Sequence, residues 1–203
     1  MSDKPLKTIL VTGFTPFPGA PVNPTQHLMR SLPDRLADLS SSANFHFHVL
    51  PTTWVGRQEV TDKLRRDLQP DAIVHFGVDG TRPTINIETR AVNKAEQVRL
   101  DASGAVSPQA ELAAGAEAAR LSTLPADALC AAARSAGAPA ELSEDAGTYL
   151  CNATLWDSIG SGIPSIFVHV PALPDGPQDV RPSFAVVEAA AVRVLEEVAR
   201  QLG

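Results

Sequence analysis

Apolar positions along the chain follow two rhythms, short β-branched runs and longer stretches with apolar residues three and four apart. KTILVTGF (7–14), NFHFHVLP (44–51), DAIVHFGV (71–78), TINIET (84–89) and SIFVHVP (165–171) have the length and composition of strands. PTQHLMRSLPDRLADL (24–39) and VGRQEVTDKLRRDL (55–68) carry helical spacing, and LPADALCAAARSAG (124–137) has Pro125 at its start and Gly137 at its end. In SFAVVEAAAVRVLEEVARQL (183–202), Phe184, Val187, Ala191, Leu195, Val198 and Leu202 line one helical face. The alternation predicts an α/β fold, a single three-layer α/β/α domain over 1–203 with helices on both faces of a twisted, mainly parallel sheet. In such folds binding groups gather on the loops after the strand C-termini. Residues 94–123 show no period and are rich in Ala, Gly, Ser and charge, so an irregular excursion and candidate lid is expected there.

Composition narrows the class. At 203 residues with 44% hydrophobic content, the chain is long enough to bury one substantial core. Its 17 basic and 23 acidic residues give a net charge of -6, without long runs of one sign, which argues against a nucleic-acid surface or a polybasic membrane anchor. The two lysines of MSDKPLKTILVTGF precede a short apolar run that leads into turn residues, a first strand rather than a signal peptide. No stretch approaches the roughly 18 apolar residues of a membrane span. A cytoplasmic location follows as the expectation, and with it two free thiols, Cys130 and Cys151.

The two cysteines sit in different settings. Cys130 lies in the middle of an apolar helix and reads as a core residue. Cys151, in GTYLCNATLW, lies at a predicted helix start: with Thr148 as N-cap, Tyr149, Leu150 and Cys151 would form the first turn. The free amides and positive dipole end there lower a thiol's pKa and offer donors to an oxyanion. A buried structural cysteine is the competing reading. As a base, His169 in SIFVHVP sits near a strand end, where its ring would emerge among the loops. His46 and His48 share one side of a strand but lack a third ligand of matching pattern, so no metal is expected, and His27 and His75 read as structural. Glu88 closes the apolar alternation of TINIET and must find a partner or solvent; an orienting carboxylate beside the histidine suits it. The loop GFTPFPG (13–19) lacks the Lys-Ser/Thr of a phosphate loop, and its two phenylalanines suit a flat uncharged ring. In GVDGTR (77–82), Arg82 is either structural or a counter-charge to a nearby carboxylate.

Together these segments resemble the pyroglutamyl peptidase type I (pyrrolidone-carboxylate peptidase) family of cysteine peptidases. The resemblance is carried by LVTGFTPFPGAPVNPT, LPTTW, INIETRAVN, STLP, AGTYLCN, FVHVP and PSF, which occur in family order from residue 8 to about 195. It implies Cys151 as nucleophile, His169 as general base and acid, Glu88 as the group orienting the histidine, and Phe14, Phe17, Asn23 and Val78 around the substrate ring, Val78 through its backbone. It also implies a compact α/β enzyme that removes an N-terminal pyroglutamyl residue from peptides, without metal or cofactor, as a homo-oligomer, a tetramer or dimer. The chain departs from the family pattern at Pro18-Gly19, at Asp79 and Thr81, and at Thr89-Arg90 after the glutamate, where the role of Arg90 is open. Two alternatives stand beside this reading: a cysteine-dependent amidase or esterase of altered substrate range, and a catalytically silent lactam-binding protein.

Overall fold

A computed structural model describes residues 5–39 and 42–203. The elements in chain order are β1 (Lys7–Phe14), α1 (Pro24–Arg35), a 3-10 turn (Ala37–Leu39), β2 (Ala43–Leu50), α2 (Trp54–Leu68), β3 (Ala72–Asp79), β4 (Ile85–Glu88), β5 (Arg90–Val92), β6 (Ala119–Leu121), α3 (Ala126–Ser135), β7 (Ala140–Ser143), α4 (Leu150–Gly160), β8 (Ser165–Pro171) and α5 (Phe184–Leu202). The five strands and four helices expected from periodicity all form, with ends shifted by a residue or two except at α1. There the helix stops at Arg35, two residues beyond its internal Pro33, and the chain continues as the 3-10 turn.

Six strands form one sheet in the order β2-β1-β3-β8-β4-β7. Pairing is parallel except between β8 and β4, so β4 and β7 run against the other four strands. Only residues 80–84 separate β3 from β4, too few for a parallel crossover, so β4 returns in the opposite sense. It pairs not with β3 but with β8, which lies between them.

Strand alternation divides the core. Ile9, Val11, Val74, Phe76, Ile85, Ile87, Ile166, Val168 and Val170 point to the face covered by α1, α3 and α5. From α5 this face takes Val187, Ala190, Ala191, Val194, Leu195 and Val198, with Phe184 and Leu202 packed at its edge. Phe14, Leu50 and Phe167 meet Leu155 and Trp156 of α4 and Val60 and Leu64 of α2 on the opposite face. Helices therefore cover both faces. Side-chain caps fix three of their starts: Asn23 accepts from the Thr25 amide, Thr53 from Gly56 and Ser183 from Val186.

Residues 94–123 are irregular except for β6, which pairs antiparallel with β5. Asn152 ties that ribbon to α4. Its Oδ1 accepts from the Val92 amide at 2.8 Å, and its Nδ2 donates to the carbonyls of Val92 (2.8 Å) and Lys94 (3.1 Å). The rest of the excursion folds back toward α2: buried Asp101 accepts from the Trp54 amide at 2.9 Å, and Ala102 donates to the Thr52 carbonyl. Among the described residues no helix is long and apolar enough to cross a membrane, and no three His, Cys, Asp or Glu side chains gather to hold a metal.

Candidate active site

Every predicted site residue lies in one place, on the α2/α4 side of the sheet at the C-terminal ends of β1, β3 and β8. Phe14, Phe17, Asn23, Val78, Cys151 and His169 line a cavity of about 280 Å³. Glu88 lies behind it, fully buried, in contact with His169.

Cys151 is the second residue of α4, and the N-cap is Tyr149, not Thr148 as the sequence suggested. Tyr149 has extended backbone angles (φ -100°, ψ -158°), and its carbonyl accepts the first helical bond, from Ala153. The Thr148 carbonyl instead accepts from the Glu96 amide, which binds it to the excursion and keeps it out of the helix. The shift by one residue leaves the amides of Leu150, Cys151 and Asn152 ahead of the helical ladder, so Cys151 sits in the turn that carries free N–H groups and the positive end of the helix. Cys151 is half-buried; Cys130 is buried in the α3 core, where burial pushes its thiol pKa up.

A glycine makes the sulfur's position possible. Gly77 on β3 stands opposite His169 on β8. A Cβ added at Gly77 would lie 3.1 Å from Cys151 Sγ and 2.5 Å from Phe167 Cζ. The missing side chain lets α4 bring Cys151 down against the sheet beside the histidine.

The antiparallel strand supplies the carboxylate. Asn86 of β4 stands opposite His169, and Glu88, two residues on and on the same face, reaches back to the ring. His169 Nδ1 donates to Glu88 Oε1 at 2.8 Å, which leaves Nε2 for the sulfur. The ring of Phe167, 4.8 Å away between centroids, packs against the imidazole. Burial alone would push the His169 pKa down. Electrostatic interaction and a polar contact with the Cys151 sulfur, followed by the hydrogen bond and charge of Glu88, override burial and raise it from 6.5 to about 10. These partners favour the protonated form of the ring.

Arg82 proves to be a counter-charge: its Nη1 lies 3.3 Å from Glu88 Oε1. Its Nε lies 3.2 Å from Asp79 Oδ2. Burial pushes the Asp79 carboxyl up, but the hydroxyl and amide of Thr81, then His169 and Arg82, hold it below the usual range. Arg90 has no part in this. It turns outward to the Glu144 carbonyl (2.9 Å) and carboxylate (3.5 Å).

The first loop is stiff. Phe17 and Ala20 exchange backbone hydrogen bonds, so Pro18 and Gly19 form a two-residue tip at which the missing proline N–H is not needed. Asn23 lines the cavity, but its Oδ1 is committed to the Thr25 amide and hydroxyl, and its Nδ2 donates to the Thr15 carbonyl, leaving one amide hydrogen for a ligand.

The sequence marked residues 94–123 as a candidate lid but not which of its residues line the cavity. Arg99 of the excursion lays its guanidinium over the rings of Tyr149 (4.6 Å) and Phe17 (5.3 Å), and Tyr149 Oη donates to the Leu100 carbonyl at 2.9 Å. Burial pushes the Tyr149 pKa up to about 12. An aperiodic segment gives no signal for such contacts. Asn152 was the readable exception, an amide inside an apolar helix that had to find partners.

The sequence profile of the pyroglutamyl peptidase family matches residues 7–201. The chain belongs to the pyroglutamyl peptidase family. It is 32% identical to a pyrrolidone-carboxylate peptidase of Thermococcus kodakarensis over 95% of this chain and 98% of that one. A pyrrolidone-carboxylate peptidase of Pyrococcus furiosus is 34% identical over 94% and 97% of the two chains. A mutant pyrrolidone carboxyl peptidase structure from P. furiosus superposes with a TM-score of 0.84 at 30% identity, covering 97% of this chain and all of that one. The enzyme from Thermococcus litoralis gives 0.84 at 26% identity, covering 97% and 95%. As a pyroglutamyl peptidase, the chain is a cysteine peptidase whose α/β fold matches those structures along nearly its whole length.

Proposed function

We infer that this chain hydrolyses the bond after an N-terminal pyroglutamyl residue of a peptide, with Cys151 as nucleophile, His169 as proton donor and acceptor, and Glu88 as the group that orients the histidine. The observation that carries this is the shared cavity: a sulfur at a helix start, a carboxylate-held histidine beside it, and two phenylalanine rings forming the apolar wall. The pyroglutamyl ring is a neutral lactam, so an apolar slot with a few amide-type partners selects it over a cationic N-terminus. Phe14, Phe17, Asn23 and the Val78 backbone form that slot.

Attack of the Cys151 sulfur on the pyroglutamyl carbonyl forms the carbon–sulfur bond and an oxyanion, which the amides at the start of α4 stabilise. His169 gives its proton to the departing amine, and the peptide leaves as the carbon–nitrogen bond breaks. Neutral His169 then takes a proton from water as the hydroxide attacks the thioester, releasing pyroglutamate and restoring the thiolate–imidazolium pair.

The rest of the reading follows from resemblance and surface. The chain acts as one peptidase domain, with residues 94–123 as a cover over the substrate. It works in the cytoplasm without metal or cofactor and assembles as a homodimer or tetramer, for which exposed Val55, Val98 and Leu100 offer apolar contact area. The test is release of a chromophore from a pyroglutamyl amide against the matching prolyl amide. The pyroglutamyl amide is expected to be cleaved far faster, with activity abolished in Cys151→Ala. Equal turnover of the two amides would remove the ring-pocket assignment and favour a broader amidase.

A further inference from the structure

We propose that Arg82 is a positioning residue of this reaction, acting through Glu88 to hold His169 and, through the loop before α4, to hold Cys151 in register with it. The inference rests on the roles given to Cys151, His169 and Glu88 above. A buried carboxylate needs compensation. Glu88 is fully buried, and its Oε2 has no hydrogen-bond partner, so everything that holds it converges on Oε1. That oxygen takes the His169 Nδ1 proton at 2.8 Å and faces Arg82 Nη1 at 3.3 Å. Arg82 thus supplies the second cationic contact and fixes which carboxylate oxygen meets the imidazole.

The same guanidinium reaches three other segments. Nη1 also donates to Ser143 Oγ of β7 at 3.0 Å, Nη2 donates to the Asp145 carbonyl at 2.9 Å, and Nε faces Asp79 at the end of β3. Asp145 in turn accepts from the Gly147 amide at 3.0 Å, two residues before the α4 cap. A planar fork of fixed donors joins the histidine's carboxylate to the loop that delivers the sulfur, which an ammonium cannot reproduce. Arg82 lines the cavity, but its polar contacts go to Glu88, Ser143, Asp145 and Asp79 rather than to the sulfur or the imidazole, so the positioning role runs through these partners.

The experiment is a double-mutant cycle on the pyroglutamyl amide with Arg82→Met, Glu88→Gln and the double variant, each checked for folding by circular dichroism. Arg82→Met should lower kcat on the order of 10²-fold through misplacement of the catalytic pair, with KM changed much less. In the Glu88→Gln background the same substitution should cost far less, because its partner is already neutral. Arg82→Lys, which keeps the charge beside Glu88 but not the fork, should recover part of the loss and serves as the folded variant if Arg82→Met does not fold. Full kcat in either Arg82 variant, or losses that multiply fully in the double variant, would overturn the proposal. An inactive wild-type enzyme would instead overturn the pyroglutamyl reading beneath it.

Discussion

Gly77→Ala tests how the sulfur reaches the histidine. Gly77 is in a strand and does not need a left-handed backbone, so alanine is compatible with its conformation and the effect is purely one of space. The new methyl would sit 2.5 and 2.6 Å from the Phe167 ring and 3.1 Å from Cys151 Sγ. Phe167 is fully buried between Phe14 and the His75 and His169 rings, so it has little room to move. Over-packing of this kind costs about 1–3 kcal/mol. At this chain length each kcal/mol lowers Tm by roughly 2–4 °C, so the melting temperature should fall by several degrees. The larger effect is on chemistry: either the sulfur or the Phe167–His169 stack must shift, and a displacement near 1 Å lowers kcat on the order of 10²-fold. The assay is steady-state hydrolysis of a pyroglutamyl amide beside thermal unfolding, with Gly80→Ala as control. At Gly80 an added Cβ meets only Ala172, at 3.8 Å, an ordinary contact. Wild-type kcat and Tm in Gly77→Ala would refute the packing argument.

Two further outcomes follow from the site. The imidazolium that protonates the leaving amine is lost as pH rises through about 10, so activity should fall on the alkaline side; Glu88→Gln removes the negative charge that helps raise His169 while keeping an acceptor for Nδ1, and the falling limb of a kcat-against-pH profile should move to lower pH. An unmoved limb would contradict the assigned coupling. Asn152→Ala strips partners from the Val92 amide and the Val92 and Lys94 carbonyls, and should destabilise the fold by about 1–3 kcal/mol in chemical denaturation while lowering kcat.

The parts of the fold that follow a period were legible, and those set by long-range pairing were not. β1, β3 and β8 are buried, β-branched runs that announce themselves. β7 does not: AELS holds only two apolar residues, one of them the exposed Leu142, and it becomes a strand because β4 offers an edge. β5 and β6 are three residues each and exist through their pairing with one another and the clamp of Asn152. The direction of β4 was likewise invisible in its own residues, although the short 80–84 connection implied it. At the site, Cys151, His169, Glu88 and the Phe14–Phe17 loop were readable because each closes or follows a strand or opens a helix. The helix start itself fell one residue later than Thr148 suggested, since the bond from Glu96 to the Thr148 carbonyl depends on a segment without periodicity. Arg82 had two readings in sequence, and only the convergence of β3, β4 and β7 on its guanidinium chose between them. Arg99 and Tyr149 gave no such signal, because their contact joins loops more than forty residues apart.

In this mechanism Cys151 carries the pyroglutamyl group between the two halves of the reaction. Acid quenching of the enzyme during turnover of a pyroglutamyl amide, followed by digestion and mass spectrometry, measures this directly. One added pyroglutamyl group is expected on the peptide containing Cys151 and none in Cys151→Ala; turnover with that peptide unmodified, or with the adduct on another residue, would rule out Cys151 as the carrier.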